Sequence, residues 1–248
     1  MSYEPRTYRR LATPHGMVAF EVVVGETDLL IHAERDFSEI AHELVVEARA
    51  AIAGYISRVP RFAETFVPLP VEDDAPAIVR AMAQAASAAH VGPMASVAGA
   101  VAEYVARGLA DVSRNVIVEN GGDIYLMGGA ERVVSVWAGE GGATGLGVRL
   151  TASQMPLAVA TSSGTIGPSI SLGSADTATV LAGSGALADA AASAVGNRVH
   201  SAGDLAAALD VAKGIEGVIG AVVTVQGAVG ACGAIELVPV AAGGPAAG

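Results

Sequence analysis

Residues Leu157–Asn197 read LAVATSSGTIGPSISLGSADTATVLAGSGALADAAASAVGN, and the residue pattern changes character several times within them. Leu157–Ala160 is a short apolar run that ends in a hydroxyl–Gly turn built from Thr161, Ser162, Ser163 and Gly164. Ile170–Leu172 and Thr177–Leu181 are β-like, and Gly183–Gly185 breaks the pattern before an Ala-rich helix. Along the chain, strands pair largely through hairpins and helices come in separate runs without regular βαβ alternation, which predicts an α+β fold. Two acids stand alone among the small residues, Asp176 and Asp189, beside hydroxyls at Thr161, Ser162, Ser163, Thr165, Ser169 and Ser171. On the helix Asp189 and Ser193 are four apart, so they share a face. A carboxylate and a hydroxyl so placed can give oxygen ligands to Mg²⁺, which takes a few protein oxygens and fills its shell with water and phosphate. The same Asp also has a plain role, because an acid near a helix start is favoured by the helix dipole.

Upstream of this block the signals are regular. Met17–Val24 and Thr27–Ala33 flank Gly25-Glu26 as a hairpin. Phe37, Ile40, Ala41, Leu44, Val45, Ala48, Ile52 and Tyr55 repeat at three and four, an amphipathic helix with Asp36 and Ser38 near its start. Prolines at 60, 68, 70 and 76 punctuate an irregular passage carrying Glu72, Asp73 and Asp74, ahead of a helix over Ile78–Ala89. His90-Val91-Gly92-Pro93-Met94 leads into a helix whose packing face is Ala95, Ala98, Gly99 and Ala102. Val116–Glu119 is a strand, and Asn120-Gly121 is a strong hairpin signal because both residue types tolerate positive φ. The alternative use of Asn120, Gly121, Gly122 and Asp123 is a Gly-rich turn that lets backbone approach a ligand. Strands follow at Ile124–Met127, Val133–Trp137 and Leu146–Leu150. The Gly-rich stretch 139–147 fits no phosphate-cradling pattern and reads as a turn. Downstream, Ser201 and Asp204 start a helix to Ala212, and Val218–Val225 with Ala231–Val238 predict a closing hairpin.

Composition narrows the function classes. Across 248 residues acids outnumber bases 25 to 14, for a net charge of −11. That balance opposes nucleic acid or an anionic membrane as a general partner. Lys213 is the sole lysine, so phosphate contacts by side chains fall to arginine. Hydrophobic content is 52% with aromatics at 4%, which predicts an Ala/Gly-rich core with close backbone contacts and a buried face between two identical chains. Cys232 is the only cysteine, which excludes a disulfide framework within the chain. His15, His32, His42, His90 and His200 have neither zinc nor triad spacing. Arg6, Arg9 and Arg10 are not followed by an apolar signal region, and Gly217–Val225 is too short to cross a bilayer; the expectation is a cytoplasmic soluble protein. Residues 1–240 are expected as one domain, and 241–248, AAGGPAAG, as a disordered tail.

Four segments together carry a family resemblance: Glu26–Leu29 (ETDL), Gly92–Gly99 (GPMASVAG), Glu119–Ile124 (ENGGDI) and Ala160–Thr165 (ATSSGT). With Ala188-Asp189-Ala190-Ala191-Ala192-Ser193 on the helix, the chain resembles the ApbE-like superfamily, relatives of FAD:protein FMN transferase. It is most similar to the branch known as uncharacterised protein family 0280. The resemblance implies an α+β fold, ApbE-like, with sheets built largely from hairpins and packed against helices. It implies Mg²⁺ held by Asp189 and Ser193, with a backbone carbonyl from Gly92–Gly99. It further implies FAD or FMN near Ala98, Gly99, Asn120, Gly121, Gly122, Asp123, Thr161, Ser162, Ser163, Gly164 and Thr165. Two departures stand out. The superfamily lysine position is Ala98 here, and Gly167-Pro168-Ser169 replaces an H-x-x-D-P element. Two function classes therefore stay open: a Mg²⁺-dependent enzyme acting on a flavin nucleotide, by FMN transfer or FAD pyrophosphate cleavage, or a non-catalytic protein that binds a flavin or a protein partner, in the setting of sulfur metabolism.

Overall fold

The computed structural model describes residues 14–137, 143–163 and 175–240. The strands are β1 (Val18–Val24), β2 (Thr27–Ala33), β3 (Val116–Asn120), β4 (Asp123–Met127), β5 (Arg132–Trp137), β6 (Ala143–Leu150), β7 (Leu157–Ser162), β8 (Thr177–Ala182), β9 (Val218–Val225), β10 (Ala228–Gly233) and β11 (Glu236–Pro239). The helices are α1 (Ser38–Arg58), α2 (Arg61–Glu64), α3 (Ala77–Ala89), α4 (Val97–Leu109), α5 (Gly185–Gly196) and α6 (Leu205–Gly214). An eight-stranded sheet runs in the order β1-β2-β3-β4-β7-β8-β9-β10, and a three-stranded sheet in the order β11-β6-β5. Every pairing between described strands is antiparallel. The fold class is α+β, as the sequence predicts.

Three layers follow from the period-two alternation of the strands. On one face of the large sheet Val118, Tyr125, Ala158, Ala160, Ala178, Val180, Ala221 and Val223 meet the helices. On the other face Leu126, Leu157, Val159, Leu181 and Val222 meet Val136, Val148 and Leu150 of the small sheet. The helix layer is thin because its contacts are alanines. Ala186, Ala188, Ala190, Ala191, Ala192 and Ala194 of α5 are all buried, so α5 lies close to β7, β8 and α4.

Glycines mark two of the closest approaches. A Cβ on Gly92 would overlap the backbone of Thr65 and Phe66, just where the chain leaves α3 and bends by 102° into the Pro93–Leu109 segment. Gly99 of α4 and Gly185 of α5 touch backbone to backbone in the same way. No single helix among the described residues is long and apolar enough to cross a membrane.

Three expectations need correction. Asn120 is not in the turn of its hairpin. Gly121 and Gly122 are the two central residues, with φ +66° and +104°, while Asn120 pairs with Asp123 as the last rung of β3 and β4. Two glycines take a double positive-φ turn with less strain than Asn and Gly, and Asn120 is thereby left in the strand. Part of the 139–147 stretch is also strand, since β6 starts at Ala143 and pairs with both β5 and β11. Cross-strand pairing on two sides outweighs the weak β propensity of its glycines. The closing hairpin is shorter than expected as well. Gln226 and Gly227, at φ +50° and +79°, turn the chain directly from β9 into β10, and β11 leaves for the other sheet. The strand expected at Ile170–Leu172 and the tail 241–248 lie outside the described residues.

Candidate functional site

The site grows out of the contact between the β3–β4 turn, the start of α4 and the first half of α5. Because Gly121 and Gly122 make the turn, Asn120 and Asp123 both remain on strands and point to the helix side. Asn120 Nδ2 donates to the Ala98 carbonyl at 3.0 Å, which ties β3 to α4. Asp123 is 7% exposed, and its Oδ1 accepts the Thr161 backbone N–H at 3.2 Å. Across from it, Asp189 Oδ2 accepts the Gly99 N–H at 3.0 Å. The glycines explain that bond. Without side chains at Gly99 and Gly185, α4 and α5 approach until a main-chain N–H of one meets a side chain of the other.

Asp123 and Asp189 are thereby brought into hydrogen-bond contact with each other. Burial pushes the Asp123 carboxyl well above the ordinary range, and the negative charge of Asp189 pushes it further, with Glu119 adding to the effect. Burial raises Asp189 too, against the Gly99 N–H, the Asp123 hydrogen bond and the Ala98 N–H, which favour its charged form. Two carboxylates in one dry contact cannot both stay ionised unless a cation joins them. The pair therefore holds either a shared proton, carried on Asp123, or a positive ion.

Other predicted site residues divide cleanly. Ser162 faces α5 near Gly196, and Ser193 is half-buried one turn beyond Asp189. The Thr161 hydroxyl points to the opposite face of the sheet and pairs with the Thr179 hydroxyl at 3.0 Å, so only its backbone N–H joins the site. Ser163 Oγ donates to the Asp176 carbonyl at 2.8 Å. Gly122 N–H is taken by Glu119 Oε1 at 2.8 Å. Gly164 and Thr165 lie outside the described residues.

Two supporting residues were not legible in the sequence. Gly185 reads in the sequence only as a pattern break, and in the structure it completes the helix contact. Glu103 on α4 accepts from the Gly185 N–H at 2.7 Å and from Ser184 Oγ at 3.2 Å, which anchors the start of α5 and thus the height of Asp189. Its other oxygen pairs with Arg107. The sequence signal was faint: a Gly-Ser-Gly helix start with one acid on a helix that is otherwise Ala-rich.

With this geometry established, comparison with known proteins is specific. Residues 9–231 match the family described as AbpE bacteria, and the chain belongs to it. A UPF0280 protein of Methanocaldococcus jannaschii is 40% identical over 225 residues, covering 88% of this chain and 91% of the relative. A UPF0280 protein of Methanocella arvoryzae is 38% identical, covering 80% and 82%. Among solved structures, the H257G mutant of the flavin transferase ApbE from Vibrio cholerae superposes with a TM-score of 0.57 at 13% identity, over 87% of this chain and 96% of the other. The apo flavinyl transferase ApbE of Pseudomonas stutzeri gives 0.53 at 14% identity, over 87% and 93%. At such identities these structures establish the fold.

Proposed function

We propose that this chain binds a flavin nucleotide together with Mg²⁺ at the Asp123–Asp189 pair, and that it acts on the nucleotide as a Mg²⁺-dependent flavin transferase or a pyrophosphate-cleaving relative of one. The observation that carries the reading is the buried contact between Asp123 and Asp189. The oxygen donors so proposed are the two carboxylates, the Ser193 hydroxyl one turn on along α5, and a backbone carbonyl of the Gly92–Gly99 segment. That set suits a hard cation. No group of three or more His, Cys, Asp or Glu side chains gathers there or elsewhere among the described residues, so the protein supplies only part of a shell and leaves room for phosphate oxygens and water. Beside Asp189 and Ser193, the ligands the family resemblance implies, Asp123 supplies a second carboxylate.

When bound, the ion would neutralise charge on a pyrophosphate. The chain's own share is to hold the carboxylates in register through Gly99 and Thr161 N–H groups, and to release the shared proton as the ion enters. Ala98 leaves no ammonium at the superfamily lysine position, and Lys213 lies on α6 paired with Asp210. Phosphate charge therefore falls to Mg²⁺, backbone N–H groups and arginine. The names of the structural neighbours support a flavin as the group handled, and the 40% identical relative supports a role shared across the UPF0280 branch.

Calorimetry with FAD, with and without Mg²⁺, tests this. Binding should need both partners and should vanish in Asp189→Asn, while Ser193→Thr is tolerated. Equal heats for the wild type and Asp189→Asn would sink the proposal. Release of FMN and AMP from FAD, or flavin left on an added acceptor protein, separates an enzyme from a pure binder. A twofold dimer, expected from the Ala/Val content, is checked by light scattering at micromolar concentration.

A further inference from the structure

Strand β1 forms one margin of the eight-stranded sheet, and no described strand pairs with its outer side. In an antiparallel ladder alternate residues of a marginal strand direct N–H and C=O groups away from the sheet, a template for another strand. Beside that margin a groove of about 480 Å³ runs between β1 and α1, lined by Glu21 and Val23 on the strand and by Glu39, His42 and Glu43 on the helix. Glu39 and Glu43 are four apart and share a face of α1. All three acids are exposed, and Val23 and Val18 are 57% and 44% exposed. Arg49 of α1 is engaged at the β1–β2 turn by Glu26 and Thr27.

We infer that this groove is a docking site for an extended, cationic segment of a partner protein, which adds as a further strand on β1. The charges set the partner. An incoming strand would place alternate side chains on the two faces of the sheet. Those on the helix face would meet Glu39 and Glu43, and those on the other face would pass Glu21. Both faces thus favour Lys or Arg, and the net charge of −11 draws such a segment in from a distance. The exposed valines accept the aliphatic stems of those side chains. A second copy of this chain is the wrong occupant, since two β1 strands related by a twofold would set Glu21, Glu39 and Glu43 of each copy against like charges. Main-chain pairing supplies affinity in this mode of recognition, and side chains supply selectivity.

The test uses the full-length protein at pH 7.5 and a labelled peptide of roughly ten alternating Lys and Val residues, a length that covers one strand. Fluorescence anisotropy should show saturable binding that weakens steeply with salt, and the matched Glu/Val peptide should not bind. Charge reversal in Glu21→Lys/Glu39→Lys/Glu43→Lys should weaken it by at least about tenfold, the scale of several lost charge contacts. Should that variant fold poorly, the wild type still decides: N-methylation of alternate peptide amides should abolish binding, and amide hydrogen exchange in Val18–Val24 should slow when the unmodified peptide is added. Equal binding of the methylated peptide, an unchanged affinity in a folded charge-reversal variant, no binding at low salt, or a doubling of mass through β1 without peptide would each overturn the inference.

Discussion

Gly99 on α4 and Gly185 on α5 exclude one another's side chains: a methyl placed on either would overlap the carbonyl oxygen of the other, and one on Gly99 would also press on the Asp189 Cβ. This contact sets the separation of the two helices and, through it, the hydrogen bond from the Gly99 N–H to Asp189.

Gly185→Ala should therefore act on both stability and site. Overpacking of this kind typically costs about 1–3 kcal/mol, read as a drop in melting temperature. The longer Gly99–Asp189 distance should weaken Mg²⁺-dependent FAD binding beyond what the stability loss explains. A variant with reduced melting temperature but full affinity would show that the helix contact does not position the carboxylate.

The carboxylate pair has a pH signature. Both carboxyls are raised in the folded state, Asp189 to about 7 and Asp123 well above its ordinary value, chiefly by burial. For acids raised above their unfolded value of about 3.9, the folded chain binds more protons than the unfolded chain through the interval between. Stability of the metal-free protein should then fall as pH rises from about 4 towards 7. Asp123→Asn keeps the hydrogen bond without the charge, so it should flatten that decline, raise the melting temperature at neutral pH and abolish Mg²⁺-dependent binding. Thermal melts across pH, with chelator present, measure it.

His32 contributes the opposite slope. It is 9% exposed, its Nδ1 has no hydrogen-bond partner among the described residues, and burial followed by the charge of Arg132 depresses its pKa. A base depressed in the folded state takes its proton first when unfolded. Stability is lost as pH falls through the unfolded value of about 6.5. His32→Leu should remove that acid-side loss, seen as a melting temperature less sensitive to pH between about 6.5 and 5.

Asn120 has a structural role distinct from the turn assigned to it by its neighbour. Asn120→Ala removes the bond to the Ala98 carbonyl and leaves that carbonyl without its partner, which costs about 1–3 kcal/mol when buried. Because Gly121 and Gly122 keep their positive φ, the β3–β4 register should persist, visible as unchanged amide exchange in β3 while protection at the start of α4 falls. Loss of protection in β3 itself would return Asn120 to the turn.

How much of this was legible depends on the range over which each signal acts. The β1–β2 hairpin, α1, α3 and the Ala-rich α5 were all predicted within a few residues, because their signals are local: a Gly-centred turn between alternating runs, and apolar residues at three and four. The Asp189–Ser193 spacing was equally local. The strand character of residues 143–147 was not, because it comes from partners on β5 and β11 that no nearby residue announces. Nor was the tie between Glu103 and the start of α5, which joins residues 82 apart.

What the sequence determined by itself was therefore the inventory: the α+β class, the family motifs, the acids Asp123 and Asp189 within two of them, and small residues where close contact would be needed. Only the tertiary structure decided that these acids meet. Their contact requires a two-glycine turn to hold Asp123 on β4, and a glycine pair to bring α5 against α4. Each motif shows its own residues to a reader of the sequence. The repulsion between the two carboxylates and the proton they share exist only across the gap between them, which packing alone sets.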